Sequence, residues 1–186
     1  MAKVLQQIDG ILSFDIFING SKIKDVIEIM EISVQMEVNR ISSATILMID
    51  GGAIGLSNEP YENTEGEDFV PGNNIKIALG YNDNKETVFE GIIVSQGLSV
   101  RNGTSQLLVT CKDKAVKMTK GRFNALFTDQ KDSDAITSIA GNYGLQTDIE
   151  STNQQFTLMQ YNCSDWDFVV IRAESNNLIV LTDKNK

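Results

Sequence analysis

Histidine is absent from this 186-residue chain. Without an imidazole, neither a Ser-His-Asp nor a Cys-His hydrolytic arrangement can form, and every metal site that uses histidine is excluded. A catalyst built from carboxylates alone stays open, because two acidic side chains suffice for glycoside hydrolysis. The missing histidine therefore removes most hydrolase and metalloenzyme classes, but not enzymes as a whole.

Cysteine is scarce as well, with only Cys111 and Cys163 and no CxxC spacing. Cys111 lies in a strand-like run and Cys163 just before a predicted helix, where small apolar thiols are commonly buried. The N-terminus lacks the apolar core of a secretory signal, and no window approaches the roughly 20 apolar residues that span a bilayer. We therefore expect a cytoplasmic protein whose thiols are reduced.

Positive charge is also in short supply, since 16 Lys and Arg face 25 Asp and Glu. A net charge of −9 does not favour nucleic-acid binding, which needs cations to neutralise phosphates. Acidity of this kind more often serves solubility than a cationic partner. The hydrophobic share of 41% is that of a globular protein, and the length suggests one or two domains.

Alternating apolar residues in the first 40 positions predict two half-buried strands. The alternating sets are Leu12, Phe14, Ile16 and Ile18, and then Ile32, Val34, Met36 and Val38. Asn19-Gly20 follows the first set and is a strong signal for a two-residue hairpin turn. Residues 44–49 are apolar on both faces, so we expect cover on both sides, from this chain or a neighbouring subunit.

Further strands are predicted at residues 75–79, 88–94 and 107–111, with turns at 82–85 and 102–103. About six short antiparallel strands at this spacing are typical of a small barrel or sandwich. The turn at 82–86 is polar, but it lacks the glycine and the terminal glutamate of a calcium loop. The predicted fold class is therefore mainly β with a few short helices.

Residues 51–72 interrupt this pattern with five glycines and two prolines. They lack the Gly-Lys-Ser/Thr ending of a phosphate-binding loop, so nucleotide binding is not favoured. Loops this long inside compact domains are commonly functional. This one carries large apolar residues that a solvated loop does not need: Ile54, Leu56, Tyr61 and Phe69. We expect them to dock on a partner; packing on the chain's own barrel is the alternative.

Two helices are predicted after residue 120. Ser133 can cap the first, which carries an apolar side and ends at Gly144; a strand at 156–159 follows. Ser164 can cap the second with Asp167 three residues on, and Asn176-Asn177 can end it before a strand at 178–181. The apolar stripe of the second helix comprises Trp166, Val169, Val170 and Ala173. On such a stripe Trp166 is interpreted as a core residue rather than a sugar-binding platform.

Carboxylate pairs that could catalyse a reaction are not evident. Asp165 and Asp167 are close in sequence, but residues two apart on a helix do not face each other, and a helix N-terminus favours both. Asp113 and Asp183 follow strands and are interpreted as turn residues. We therefore predict no catalytic, cofactor-binding or metal-binding residue.

Three segments together resemble one family. They are FEGIIVSQGLSV followed by LLVTCKDKAVKMT within residues 89–119, DAITSIAGNYGL at 134–145, and Ser164-Asp-Trp-Asp-Phe with Arg172-Ala-Glu and Leu178. Their F-x-G strand pair, C-x-D ending and helix pattern resemble the N-terminal module of VgrG-type spike proteins of type VI secretion. The same module occurs in the hub of contractile phage baseplates and of related injection particles. The earlier IFINGSKI hairpin is compatible with the family's start.

The resemblance implies a tube-protein-like antiparallel β-barrel followed by part of a second barrel. Residues 1–120 are expected to form the first domain and residues 121–186 the beginning of the second, within a longer polypeptide. In that family three copies form a pseudo-six-fold ring that joins a hexameric inner tube to a three-fold spike. The implied partners are two further copies, the inner-tube protein, other baseplate or spike proteins and effectors. Neither nucleic acid nor membrane insertion is implied, and the machine that expels the protein would be assembled in the cytoplasm.

A structural hub protein without enzymatic activity or cofactor is thus the leading hypothesis. Its candidate subunit-interface residues are Ile46, Ile49, Ile54, Leu56, Tyr61 and Phe69. The alternative is a β-rich module that binds carbohydrate or a cell-surface ligand, and an enzyme that uses carboxylates alone comes third. Self-association without a retained small ligand favours the hub, whereas a monomer retained on a glycan array favours the binding module.

The first testable prediction concerns the thiols. Protein kept under cytosolic redox conditions is expected to carry Cys111 and Cys163 in the reduced form, because glutathione and thioredoxin keep such thiols reduced. Mass spectrometry after alkylation in denaturant, without a reducing agent, should find both residues labelled. A peptide pair linked by a Cys111–Cys163 disulfide contradicts the prediction.

Overall fold

A computed structural model of the chain describes residues 12–51, 61–81, 84–101 and 104–186. The strands are β1 (Leu12–Ile18), β2 (Ser21–Lys22), β3 (Ile29–Gln35), β4 (Ser43–Ile49), β5 (Asn74–Tyr81), β6 (Asn84–Arg101), β7 (Thr104–Lys112), β8 (Phe123–Lys131) and β9 (Gln155–Cys163). The helices are α1 (Glu62–Glu65), α2 (Asp132–Gly141) and α3 (Asp165–Ser175), and a 3-10 helix covers Lys114–Thr119. The prediction of a mainly β chain with a few short helices is confirmed.

Seven strands form one antiparallel sheet in the order β2-β1-β5-β6-β7-β4-β3. The long strand β6 is shared, because its first half pairs with β5 and its second half pairs with β7. This stagger and the register shifts after Ile77 and Ile93 roll the sheet, as bulges and staggered strands generally do. Residues 23–28 connect its two edge strands, β2 and β3.

One apolar core fills the rolled sheet. Adjacent strands β4 and β7 place Ala44 opposite Cys111, Ile46 opposite Val109 and Met48 opposite Leu107, all facing inward. The other buried members of this core are Ile16, Ile18, Ile23, Phe69, Ile75, Ile77, Phe89 and Ile93. The tube-like antiparallel arrangement predicted for this part of the chain therefore rests on a single core, although the described residues show no hydrogen-bonded ladder between β2 and β3.

The Asn19-Gly20 turn joins β1 to β2 as predicted. Both residues have positive φ, 50° for Asn19 and 87° for Gly20, which is what a type I′ hairpin turn requires. The Asn19 backbone N–H donates to the carbonyl of Asn74 at 2.9 Å, and the Asn19 side-chain oxygen accepts the Asn74 N–H at 3.0 Å. The turn is therefore also tied to the start of β5.

The expectations for β3 and β4 need correction. Strand β4 is fully buried on one face only, because Ser43, Thr45, Leu47 and Ile49 on its other face are half-buried. Strand β3 ends at Gln35, so Met36 and Val38 lie beyond it and are exposed instead of continuing its apolar face. The chain already turns toward β4 at Asn39, whose φ is 58°.

The second part of the chain places α2 and α3 against the two-stranded sheet β8–β9. The Phe127 ring on β8 stacks on Phe168 of α3, with 5.5 Å between ring centroids. The buried members of this second core are Ala115, Met118, Ala135, Ile136, Ile139, Leu158, Trp166, Phe168 and Val169. Strand β8 was not predicted, since register shifts after Phe123 and Phe127 break the alternation by which a strand is recognised.

Helix α3 begins and ends as predicted. The Asp167 backbone N–H donates to the Ser164 hydroxyl at 3.1 Å, and that hydroxyl donates to the Asp167 carboxylate at 2.7 Å. At the other end Asn177 adopts a φ of 58°. The Leu178 N–H then donates to Ala173 and the Asn177 N–H to Glu174, both at 3.0 Å, which is a Schellman motif.

Helix α2 begins earlier than predicted. Its first residue is Asp132 and its N-cap is Lys131, so Ser133 lies inside the helix and does not cap it. The Ser133 N–H donates instead to the Thr152 hydroxyl at 3.2 Å, and a side chain from a distant loop thus satisfies a group that the sequence alone leaves open. Helix α2 ends at Gly141, three residues before the predicted Gly144. Gly144 adopts a φ of 69° and closes the turn that follows, where the Leu145 N–H donates to the carbonyl of Ala140 at 3.2 Å.

The strand predicted at residues 178–181 does not form. Val180 makes two hydrogen bonds with Asn39, its N–H donating to the Asn39 side-chain oxygen at 2.9 Å and its carbonyl accepting the Asn39 N–H at 2.8 Å. Because an asparagine side chain supplies one of these bonds, the segment runs beside a turn and builds no strand ladder there.

The burial of Trp166 gives the second prediction. Its side chain is only 9% exposed and belongs to the second core, so Trp166→Ala should lower the free energy of unfolding by about 3–5 kcal/mol. Urea denaturation followed by circular dichroism measures this without relying on tryptophan emission. The matched control is Tyr161→Ala, an exposed aromatic in the same unit, which should stay within about 0.5 kcal/mol of wild type. Equal effects of the two variants contradict the prediction.

Candidate subunit interface

The six interface candidates fall into three groups. Ile46 and Phe69 have no exposed surface and belong to the core of the rolled sheet. Their side chains are therefore not available to a partner, which corrects this part of the expectation. Ile49 and Tyr61 are half-buried and keep accessible surface, whereas Ile54 and Leu56 lie outside the described residues.

The described part of the 51–72 loop is fastened to its own sheet. The buried Asp50 carboxylate accepts the backbone N–H groups of Asn63 at 3.0 Å and Thr64 at 2.7 Å, which anchors the start of α1. The Tyr61 ring lies so close to Gly51 that a Cβ there would have no room. The Gly72 N–H closes the loop by donating to the carbonyl of Ile93 at 2.8 Å. For residues 61–72 the alternative of self-packing thus describes the structure better than docking through Phe69.

The outward face of β8–β9 is the most exposed apolar surface of the second unit. Leu126 on β8 is directly opposite Met159 on β9, and the two side chains are 63% and 68% exposed. Tyr161 lies two residues after Met159 and is 72% exposed, while the intervening Gln160 is buried. Clustered exposure of large apolar side chains is typical of interaction surfaces.

A second exposed apolar group lies on the outside of the first sheet. Leu47 on β4 is directly opposite Leu108 on β7, and Leu108 is exposed although it occupies a central strand. Leu98 and Val100 on the far half of β6 are also exposed, but they pair with the buried Leu107 and Ser105 of β7 and therefore lie on the opposite face of the sheet from Leu108. Unlike Ile46 and Phe69, these side chains remain accessible on the surface of the first unit.

The C-terminal segment joins the two units through buried polar contacts. The Ser42 N–H donates to the Thr182 hydroxyl at 2.8 Å, and the Ser42 hydroxyl donates to the Thr182 carbonyl at 2.6 Å. Both residues are buried. The Asn39 amide adds a 2.7 Å hydrogen bond to the Glu174 carboxylate at the end of α3. Sequence reasoning missed this joint, because residues 140 positions apart give no local signal.

The motifs that carried the resemblance have structural roles at this joint. In the F-x-G motif Phe89 is buried, and a Cβ at Gly91 would collide with the carbonyl oxygen of Lys112. In the C-x-D motif Cys111 is buried and Asp113 begins the 3-10 helix, accepting the Ala115 N–H at 2.9 Å. These residues define a strand crossing and a chain turn rather than a reactive centre.

Asp113 is the most buried carboxylate at the junction of the two units, at 1% exposure. It also accepts the Asn185 N–H at 2.9 Å, while its own N–H donates to the carbonyl of Ser42 at 2.9 Å. Burial raises the pKa of Asp113, and the two backbone donors oppose that rise. The interpretation of Asp113 as a turn residue is confirmed, with the added function of holding the C-terminal segment.

Asp132 and Arg172 form a bidentate ion pair. The guanidinium donates from Nε to one carboxylate oxygen at 2.5 Å and from Nη2 to the other at 2.9 Å. The Asn176 amide adds a third donor at 2.9 Å. Arg172 therefore holds the pKa of the buried Asp132 carboxyl below its ordinary value and joins α3 to the start of α2.

The remaining candidate chemistry is structural. Asp165 accepts the Tyr143 hydroxyl at 2.6 Å and the Gln160 amide at 2.8 Å, and Asp167 caps its own helix. Both cysteines are free thiols, and burial raises the pKa of Cys111 to about 12. In the described ranges no group of three or more Asp, Glu or Cys side chains is placed to hold a metal ion. Nor does any described helix combine the length and the apolar character that crossing a membrane requires.

Comparison with protein families identifies the chain. The family model described as the Alg8 N-terminal domain matches residues 8–186. The chain belongs to this family. No curated protein matches the sequence.

Solved structures share the fold of this Alg8 N-terminal domain at low sequence identity. A 43 kDa tail protein of prophage MuSo2 from Shewanella oneidensis is 13% identical with a TM-score of 0.61, over 92% of this chain and 53% of its own. The E. coli c3393 protein, a type VI secretion component with structural similarity to the T4 tail proteins gp27 and gp5, is 14% identical with a TM-score of 0.61, over 89% of this chain and 47% of its own. The half-lidded Francisella PdpA–VgrG complex gives 16% identity and a TM-score of 0.53, over 94% of this chain and 29% of its own.

The predicted resemblance to the N-terminal module of VgrG-type spike proteins is confirmed at the level of the fold. This chain spans about half the length of the tail and secretion proteins that it matches, and less than a third of the length of the matched chain in the Francisella complex.

The ion pair of Asp132 gives the third prediction. A carboxyl whose pKa is lowered by folding stabilises the protein above its unfolded pKa of about 4, and this contribution is lost as the pH falls through the lower folded value. Wild-type protein should therefore lose unfolding free energy between pH 5 and pH 2, and Asp132→Asn should show a shallower slope because it lacks this titration. At pH 7 the variant should be less stable by about 3 kcal/mol, since Arg172 loses its partner.

Asp134→Asn is the matched control, because Asp134 lies in the same first turn but is exposed. It should keep the wild-type slope in urea titrations at each pH. Identical slopes for wild type and Asp132→Asn contradict the prediction.

Proposed function

We propose that this Alg8 N-terminal domain is a structural hub or spike component of a contractile injection machine. The solved structures that share its fold are phage tail proteins, a type VI secretion component and a VgrG complex. The observation that carries the proposal is the extent of the similarity, which covers 89–94% of the chain and so includes both the rolled sheet and the α2–α3 unit.

The proposed assembly is a trimer that joins a hexameric inner tube to a three-fold spike. If each chain contributes two tube-like units, three chains place six similar units around one axis, which resolves the mismatch between six-fold and three-fold partners. The proposed boundary lies at residue 120, with the first unit in residues 1–120 and the beginning of the second in 121–186. The separate cores of the rolled sheet and of the α2–α3 unit support a division into two units, and Ala115 and Met118, just before the proposed boundary, pack in the second core.

The hydrogen bonds of the buried acidic side chains support a structural role rather than catalysis. The most buried carboxylates, Asp113 and Asp132, each accept hydrogen bonds that join distant segments. The indole of Trp166, the one tryptophan, is in the second core and is not a platform for a sugar ring. The proposed partners are therefore proteins: two further copies, the inner-tube protein and other spike or baseplate components. Assembly in the cytoplasm and later expulsion with the machine are part of the same proposal.

The exposed apolar surfaces are the proposed contact regions. Half-buried Ile49 and Tyr61 remain candidates on the first unit, and Ile54 and Leu56 remain sequence-based candidates. To these we add Leu126 and Met159 on the outward face of β8–β9, which a monomer leaves in water.

The fourth prediction tests assembly. In the full-length protein, Met159→Glu should weaken trimer formation at least tenfold, because a charge cannot be buried at an apolar contact without a partner. Sedimentation velocity over a concentration series, with and without the cognate inner-tube protein, measures the change.

Ile171→Glu supplies the control, since Ile171 is similarly exposed but lies on α3, away from that face. It should assemble like wild type. Wild-type protein that stays monomeric at assembly concentrations, even with its tube protein, defeats the proposed function.

A further inference from the structure

Positive charge is concentrated in one short segment of this acidic chain. Residues 112–122, KDKAVKMTKGR, hold five of the 16 Lys and Arg residues and a single acid, Asp113. Asp113 is buried and its carboxylate accepts backbone N–H groups, so it leaves little negative charge at the surface. Composition alone conceals this local reversal of charge, because the whole chain carries −9.

One exposed cation of this segment, Arg122, reaches the end of β9, and two more precede it closely in the sequence. Lys117 and Lys120 are exposed and take part in none of the ion pairs among the described residues. The Arg122 guanidinium donates to the carbonyl of Asn162 at 2.7 Å, which places its charge at the end of β9. We call this surface the basic face; it comprises Lys117, Lys120 and Arg122, the exposed Phe123 that follows them, and the exposed Tyr161 beside Asn162. The one acid in β8 and β9 is Asp129.

A surface of the opposite sign lies beside α1. Val26, Glu28 and Glu62 line one cleft, and Glu65 follows one turn after Glu62. Val26 is 80% and Met30 53% exposed, so this surface also has apolar side chains in water. We call it the acidic face; it comprises Val26, Glu28, Met30, Glu62 and Glu65. Lys24, whose ammonium is 4.0 Å from the Glu62 carboxylate, is the cation in the cleft.

The two faces are anchored at opposite ends of one strand. Asp50, directly after β4, holds α1, whereas Ser42, directly before β4, accepts the N–H of Asp113 that begins the basic segment. Seven residues of β4 separate these anchors, a distance of about 23 Å at the usual rise per residue. This exceeds the Debye length of about 8 Å at physiological salt, so the faces do not neutralise each other within one copy.

We infer that the basic face of one copy docks on the acidic face of a second copy. Each face combines exposed apolar side chains with charges that are mainly of one sign, and the two signs are complementary, which is the arrangement of a specific protein interface. A three-fold ring needs a heterologous contact between two different surfaces of the same chain, and these two surfaces supply one. The inference rests on the trimer proposed above and assigns its contact.

Charge reversal in the full-length protein tests the contact. Lys117→Glu/Lys120→Glu and, separately, Glu28→Lys/Glu65→Lys should each weaken self-association at least tenfold, because like charges then meet across the interface. The variant that combines all four substitutions restores opposite signs and should recover to within about threefold of wild type. Sedimentation equilibrium gives the association constants, and raising the salt should weaken the wild-type assembly.

The matched control is Glu86→Lys/Glu150→Lys, which changes the net charge by the same amount at exposed sites outside both faces. It should assemble like wild type, and circular dichroism should show each variant folded. The inference is overturned if either charge-reversal variant still forms trimers as well as wild type, or if the variant with all four substitutions does not recover. Either result leaves the proposed hub function intact. Wild-type protein without self-association defeats the proposed function itself.

Discussion

The arrangement of the two units depends on the hydrogen bonds of the buried Asp113. It ends β7, begins the 3-10 helix by accepting the Ala115 N–H, and holds the C-terminal segment through the Asn185 N–H. The Asp113 N–H donates to the carbonyl of Ser42, whose own hydroxyl and N–H form hydrogen bonds with Thr182. Because an ion that is poorly hydrated must be satisfied by nearby donors, these segments have to converge on one point.

Two buried carboxylates illustrate how environment decides electrostatics in this fold. Asp132 meets a guanidinium in bidentate geometry, so its pKa is lowered. Asp113 meets only backbone N–H groups, and desolvation outweighs them, so its pKa is raised. Neither is presented to solvent as a reactive group. Both instead join segments that are far apart in sequence, in agreement with the proposed structural role.

The surface is organised in a way that suits assembly. Apolar side chains stay exposed on the β8–β9 face and around Met30, while the cations of residues 112–122 and the acids near α1 lie at opposite ends of β4. A polypeptide with two complementary faces can associate without swapping strands or opening its core. The proposed ring therefore leaves both apolar cores intact, and its stability depends on salt.

Local features could be predicted from the sequence, because alternation, turn and capping signals act over a few residues. The I′ turn at Asn19-Gly20, the Ser164 cap, the Asn177 helix end and the burial of Trp166 were all predictable, as was the family resemblance. Strand β8, the start of α2 and the course of residues 178–181 were decided by partners up to 141 positions away. The list of candidate interface residues differed most between the sequence prediction and the structure. Whether an apolar side chain such as Phe69 faces the core or a neighbouring subunit depends on how the sheet rolls, and only tertiary packing specifies that.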